Sequence, residues 1–296
     1  MSPRRFPRMA GFGLIELMIA LVLGLLVVGA ASAIFLSNQR TYNATEGVNR
    51  MQESARAAFE LMAREARAAG GSACSNTASV DPTNAQSIAF LDGVAVVNDA
   101  NDDLDSARDQ VTMVSGDDTA YRVTDATNSS VTVDLAGTGL TTLTDAFEVD
   151  DQVLLCSVSH FAVVTLTGVG TDSLSFGALP YVLTDGTAPA SVMVARFRSN
   201  RWFVGENERG GNSLWVSRNG GAAQEVAEGV EALRAQYLEN TVQSGCPGAA
   251  AYVDAPGNVR CVNSLRLQMR LSGEDVDGRA LTRDFDTVVS LRSRNP

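Results

Sequence analysis

The chain contains no lysine: all 23 basic residues among its 296 are arginine, set against 34 acidic residues. A P-loop nucleotide site needs a lysine on the phosphates, and a Schiff-base enzyme needs one as its nucleophile, so both classes are excluded. Histidine is nearly absent as well, with His160 alone at the polar end of the apolar run 154–161. A Ser-His-Asp triad would have to use that one histidine, and no Gly-x-Ser-x-Gly elbow accompanies it. The four cysteines, Cys74, Cys156, Cys246 and Cys261, form no Cys-x-x-Cys pair of the kind that holds zinc. A formal net charge of −11 opposes binding to a nucleic acid backbone. These absences leave no cofactor or metal to expect and disfavour a membrane-anchored enzyme. Only an aspartate-dyad hydrolase would have enough of the residues it needs.

What the chain does have is one long apolar run near its start. Residues 14–36 carry a single charge, Glu16, and at the helical rise they span ~35 Å, against ~30 Å of bilayer hydrocarbon. A carboxylate inside such a span costs ~2.5–3.5 kcal/mol on insertion scales and calls for a cationic partner. Cleavage between Gly11 and Phe12 would create one. The new α-amino group would lie four residues before Glu16, one helical turn away, or within reach of a neighbouring copy's Glu16. Arg4, Arg5 and Arg8 precede the span, which puts the N-terminus on the cytoplasmic side and everything after residue 36 in the periplasm or its equivalent. Removing residues 1–11 takes away those three arginines and no acid, leaving 34 acidic residues against 20 basic.

Two other readings fit parts of this segment. A secretory signal peptide would use Ala31-Ser32-Ala33 as its small-residue cleavage site, but a charge then sits inside the apolar core and no turn signal follows residue 33. A plain membrane anchor leaves Glu16 without a role.

Beyond the span, Val48, Met51, Ala55, Phe59, Met62 and Ala66 recur at spacings of three and four, the mark of a helix with one buried face. Glu53, Arg56, Glu60 and Arg64 line its other face in register for ion pairs. Gly70-Gly71 supplies the stop, so one helix of ~87 Å is expected over residues 12–69. After it, short apolar runs bounded by Gly, Asp, Asn and Pro predict strands at 87–91, 110–115, 120–123, 130–135, 152–157, 162–166, 191–198, 201–204, 213–218, 233–237, 264–271 and 282–291. Asn219-Gly220 is a hairpin turn of the favoured kind, joining 214–216 to 222–226.

The expected class is therefore α+β, a long N-terminal helix, membrane-spanning in its first half, packed on a mostly antiparallel globular domain. Its divisions are a leader at 1–11, a helix at 12–69 with its transmembrane part at 14–36, and a head at 70–296. Four cysteines in an oxidising compartment read as two disulfides with three possible connectivities. Pairing Cys246 with Cys261 closes a short loop for ~3 kcal/mol in the chain-entropy model and leaves Cys74 for Cys156. The acidic run 99–105 invites calcium, but it lacks the glycine and the terminal glutamate of an EF-hand loop and reads as a solvated loop.

Gly11-Phe12 followed by Glu16, with a basic leader before it and an unbroken apolar helix behind, resembles the prepilin signal of the type IV pilin superfamily. The resemblance implies a type IV pilin-like fold, cleavage by a prepilin peptidase, N-methylation of Phe12, and a Glu16 that pairs with the amino terminus of an adjacent subunit. Three blocks in the head are similar to the PilW family of minor pilins: 151–156 with 161–165; 213–215, 219–221, 224–233 and 236–237; and 283–292. Taken alone, 226–231 is an exposed turn before an edge strand; its value is as a family marker. The PilW resemblance implies a non-enzymatic subunit that helps start type IV pilus assembly beside other minor pilins, the major pilin and a tip adhesin, first in the inner membrane and then at the cell surface. A type II secretion pseudopilin of the J-like class would share the leader and the helix. Direct adhesion by the head is a further alternative.

Overall fold

A computed structural model describes residues 13–71, 79–99, 104, 106–157, 160–183, 192–240, 246, 251–273 and 280–291. The fold is α+β, a long N-terminal helix and a large antiparallel sheet domain. Two compact units divide the chain. One takes residues up to 50 together with 273–281, and the other takes 51–272 together with 282 onward.

Helix α1 runs Leu14–Ala68. Leucine, isoleucine and alanine dominate its first half, no proline interrupts it, and it passes through residues 31–33 without a turn. In the second unit the helix buries Met51, Ala55, Ala58, Met62, Ala63 and Ala66. The period placed Phe59 on that stripe. Phe59 is instead half-buried, and the smaller Ala58 and Ala63 take inner positions. Gly70 ends the helix as expected, with φ 66° and its amide donated to the Val114 carbonyl at 2.8 Å.

Six strands close into an antiparallel barrel. They are β3 (Gln110–Ala126), β4 (Ser130–Val133), β7 (Ser173–Phe176), β6 (His160–Val169), β5 (Gln152–Cys156) and β8 (Met193–Glu206). Each pairs with the next in that order, and β8 pairs back onto β3. Alternate residues point inward, so Val153, Leu155, Ala162, Val164, Leu166, Leu174, Phe176 and Val194 fill the barrel with Leu143 and Phe147.

Residues 110–115 with 120–123, and 191–198 with 201–204, were expected as separate strands, yet each pair forms a single strand. Gly116-Asp117-Asp118 reads as a turn but is a bulge within β3, where the register shifts between Gly116 and Ala120. Asn200 stays in the ladder opposite Met113. Both strands thus outgrow the barrel. β8 continues the sheet through β9 (Asn212–Arg218) and β10 (Ala223–Glu228), while β3 continues it through β2 (Val94–Val97). Asn219 (φ 49°) and Gly220 (φ 73°) make the expected hairpin turn between β9 and β10.

The segment 87–91 is not a strand; it belongs to helix α2, Ala85–Asp92. Its apolar run is too short to reveal a period, and the surroundings decide. Asn84 caps the helix by accepting the Ser87 amide at 2.9 Å. The same two side chains reach the edge of β6: Ser87 Oγ accepts the Val163 amide at 2.9 Å, and Asn84 Nδ2 donates to the Val163 carbonyl at 2.9 Å. Phe90 then packs edge-to-face on Phe161, on the outer wall of the barrel. β1 (Ser79–Val80), β2 and β7 were not expected, each having only two to four residues.

A second, three-stranded sheet contains β11 (Val230–Glu239), β12 (Val262–Gly273) and β13 (Leu281–Ser290) in that order. The chain crosses into it at Gly229, so 226–231 is no exposed turn. Gly229 has φ 77°, donates its amide to Asn212 and accepts from Ser272, and a Cβ there would lie 2.6 Å from the Ser272 oxygen. Ala227 and Val230 on either side are buried.

Candidate functional site

The candidate site is the start of α1. Gly13 opens the helix, its carbonyl accepting the amides of Glu16 at 3.0 Å and Leu17 at 3.2 Å. Glu16 therefore lies in the first turn, where the helix dipole favours a negative charge. Gly11 and Phe12, the expected cleavage and methylation positions, lie outside the described residues. No ion pair joins Glu16 to a described residue. Along 14–36 the large apolar side chains are each more than half exposed. This helix is long and apolar enough to cross a membrane, and none of its apolar window is buried among the described residues. Such a surface requires lipid or other helices around it.

In the head, Cys246 and Cys261 lie at disulfide-bonding distance with their Cα atoms 5.6 Å apart. Cys156 is buried at the end of β5, and Cys74 lies outside the described residues. His160 stacks on Tyr181 with ring centroids 4.6 Å apart. The Ser157 hydroxyl bonds to the backbone of His160 rather than to its imidazole, accepting the amide at 2.9 Å and donating to the carbonyl at 3.0 Å. That arrangement is a turn and not a nucleophile with its base. Of the acidic run 99–105, residues 100–103 and 105 lie outside the described residues. Among the described residues, no three His, Cys, Asp or Glu side chains converge as a metal would require.

Two acids that the sequence did not single out are withdrawn from solvent, Glu65 half-buried and Asp109 buried. Glu65, on the last turns of α1, accepts the indole Nε1–H of Trp202 at 2.5 Å. Burial pushes its carboxyl above the usual range, against the lowering effects of Trp202, Arg218, Asn200 and Arg198. Asp109 accepts the amides of Asp99 and Ala235, each at 2.8 Å, and burial raises its carboxyl too. Glu65 sits one position before a buried alanine at helical spacing, which would hint at a half-buried face. Nothing local marks Asp109, because its donors are 10 and 126 residues away.

A family model for the prokaryotic N-terminal methylation motif matches residues 7–32. That segment holds Gly11, Phe12 and Glu16 and most of the apolar span, so the chain carries a type IV prepilin-like N-terminus. Proteins with this motif are processed by a prepilin peptidase and associate with other pilins as structural subunits. Neither curated proteins nor solved structures give a match to the chain.

Proposed function

We propose that this chain is a minor pilin of the PilW type, cleaved between Gly11 and Phe12, methylated on Phe12, and built into the minor-pilin tip complex that primes growth of a type IV pilus. The observation that carries this reading is the conjunction of the motif at 7–32 with a membrane-length helix whose apolar window is not buried among the described residues. In the bilayer such a helix is surrounded by lipid. During assembly it exchanges lipid for other helices, with Gly24, Gly29 and Ala30 offering small faces for close contact. Glu16 then sets the register by pairing with the amine of an adjacent subunit. The head, residues 70–296, stays in the periplasm, fastened by the Cys246–Cys261 pair and by a second pair, Cys74 with Cys156. Its partners are the prepilin peptidase, other minor pilins, the major pilin and a tip adhesin.

The PilW assignment rests on three blocks that fall on β5 and β6, on β9 through β11, and on β13. Gly229 in the second block is held by backbone geometry that only glycine meets. A type II secretion pseudopilin would share the N-terminus, and deletion separates the two: loss of pili with normal secretion supports the minor pilin, and the reverse result supports the pseudopilin.

The direct test is the N-terminus of the protein recovered from membranes, read by mass spectrometry. A start at methylated Phe12 is expected. A start at Ile34 would mean simple secretion, and an intact Met1 a plain anchor; either result overturns the proposal.

A further inference from the structure

The docked half of α1 presents an almost wholly apolar face: Met51, Ala55, Ala58, Met62, Ala63 and Ala66 are all buried. Glu65 is the exception. Its carboxylate reaches Trp202, which is fully buried at the middle of β8 between Val111 of β3 and Val216 of β9. The groups in contact with it, the indole N–H of Trp202 and the side chain of Asn200, are neutral donors. The cations that face it, Arg218 on β9 and Arg198 on β8, act only through space, and Arg198 is already paired with Asp117 at 2.8 Å. On α1 itself the neighbouring Arg64 turns to Asp118 at 3.8 Å. A carboxylate partly withdrawn from water and without a contacting cation is shifted toward its neutral form. The hydrogen bond survives protonation, since the carbonyl oxygen of the acid still accepts from the indole.

We propose that Glu65 and Trp202 form a proton-sensitive latch, fastening the second half of α1 to the sheet more tightly as the surroundings turn acidic. The direction follows from linkage. The docked helix holds a proton that a released, solvated Glu65 would give up, so docking strengthens as the pH falls through the window above the ordinary carboxylate range. This inference goes beyond the assembly reading, which depends on the N-terminus and stands whether or not the latch exists.

The test is hydrogen exchange on the full chain in detergent micelles, comparing amide protection over residues 58–70 at about pH 5 and about pH 7.5 after correction for intrinsic rates. Protection is expected to be a few-fold higher in acid. Glu65→Gln carries the neutral form at every pH and should keep high protection with that dependence removed. Equal or lower protection of the native chain in acid overturns the latch. So does a Glu65→Gln variant that retains the full pH difference.

Discussion

The carboxylate of Asp109 stands where a strand's next carbonyl would be. Its own amide donates to the Leu233 carbonyl at 2.9 Å, Leu233 donates to Ala107 at 2.9 Å, and the Ala235 amide then donates to Asp109 Oδ2 at 2.8 Å. The lead-in to β3 thereby covers the outer edge of β11 and joins the two sheets. Oδ1 holds the amide of Asp99, tying the end of the segment after β2 to the same point.

Replacing Asp109, itself only 2% exposed, with alanine would remove the carboxylate that accepts the buried Ala235 amide and the part-buried Asp99 amide. At ~1–3 kcal/mol for each unsatisfied buried group, a loss of about 3 kcal/mol is expected. Chemical denaturation of the full chain in detergent measures it; a loss below about 1 kcal/mol would show that water replaces the carboxylate.

The acids also shape the pH profile of stability. Burial raises Asp109 and Glu65, so the native chain holds protons that the unfolded chain has released, and stability declines as the pH rises through the window between the ordinary and the raised values. Asp284, held low by Arg270, and Asp81, held low by the Thr83 amide and hydroxyl, work in the opposite sense, losing their contribution in stronger acid. Stability should therefore peak in mild acid. Melting curves across pH check this, and Asp109→Asn should flatten the decline on the neutral side; an unchanged slope would remove Asp109 from the explanation.

Glycine positions with positive φ should separate by surroundings. Gly229→Ala meets both a left-handed backbone and the Ser272 oxygen at 2.6 Å, and is expected to lose about 3 kcal/mol. Gly137→Ala, at φ 76° with open space around it, should lose only about 1 kcal/mol. Equal losses in paired denaturation curves would show that the crossing between sheets can relax.

Glu16→Ala should leave membrane insertion intact, since removing the one charge makes the span more apolar. Pilus number, counted by electron microscopy, should fall at least about tenfold if the lost ion pair is worth roughly 1.4 kcal/mol or more in assembly. Normal piliation in this variant would count against the role given to Glu16.

The long helix was legible because its signals are local: an apolar run, a period of three to four, and a Gly70-Gly71 stop. The Asn219-Gly220 hairpin was legible for the same reason, since few other pairs take positive φ at both positions. Where turn residues were overridden, the cause was a neighbouring strand. Gly116 to Ala120 stays within β3 because β8 pairs on both sides of the bulge, and Ser87 is helical because its hydroxyl and the Asn84 amide complete the open edge of β6.

By itself the sequence determined that this chain begins with a processing motif and a membrane-length helix carrying one charge, and that an antiparallel, disulfide-bearing head follows. These properties depend on residues adjacent in the chain. Only the tertiary structure decided that the strands close into a barrel, that α2 seals its outer wall, and that Asp109 and Glu65 hold the sheets and the helix together. Those features bring together groups far apart in sequence, and a buried carboxylate has no marker until its hydrogen-bond donors are in place.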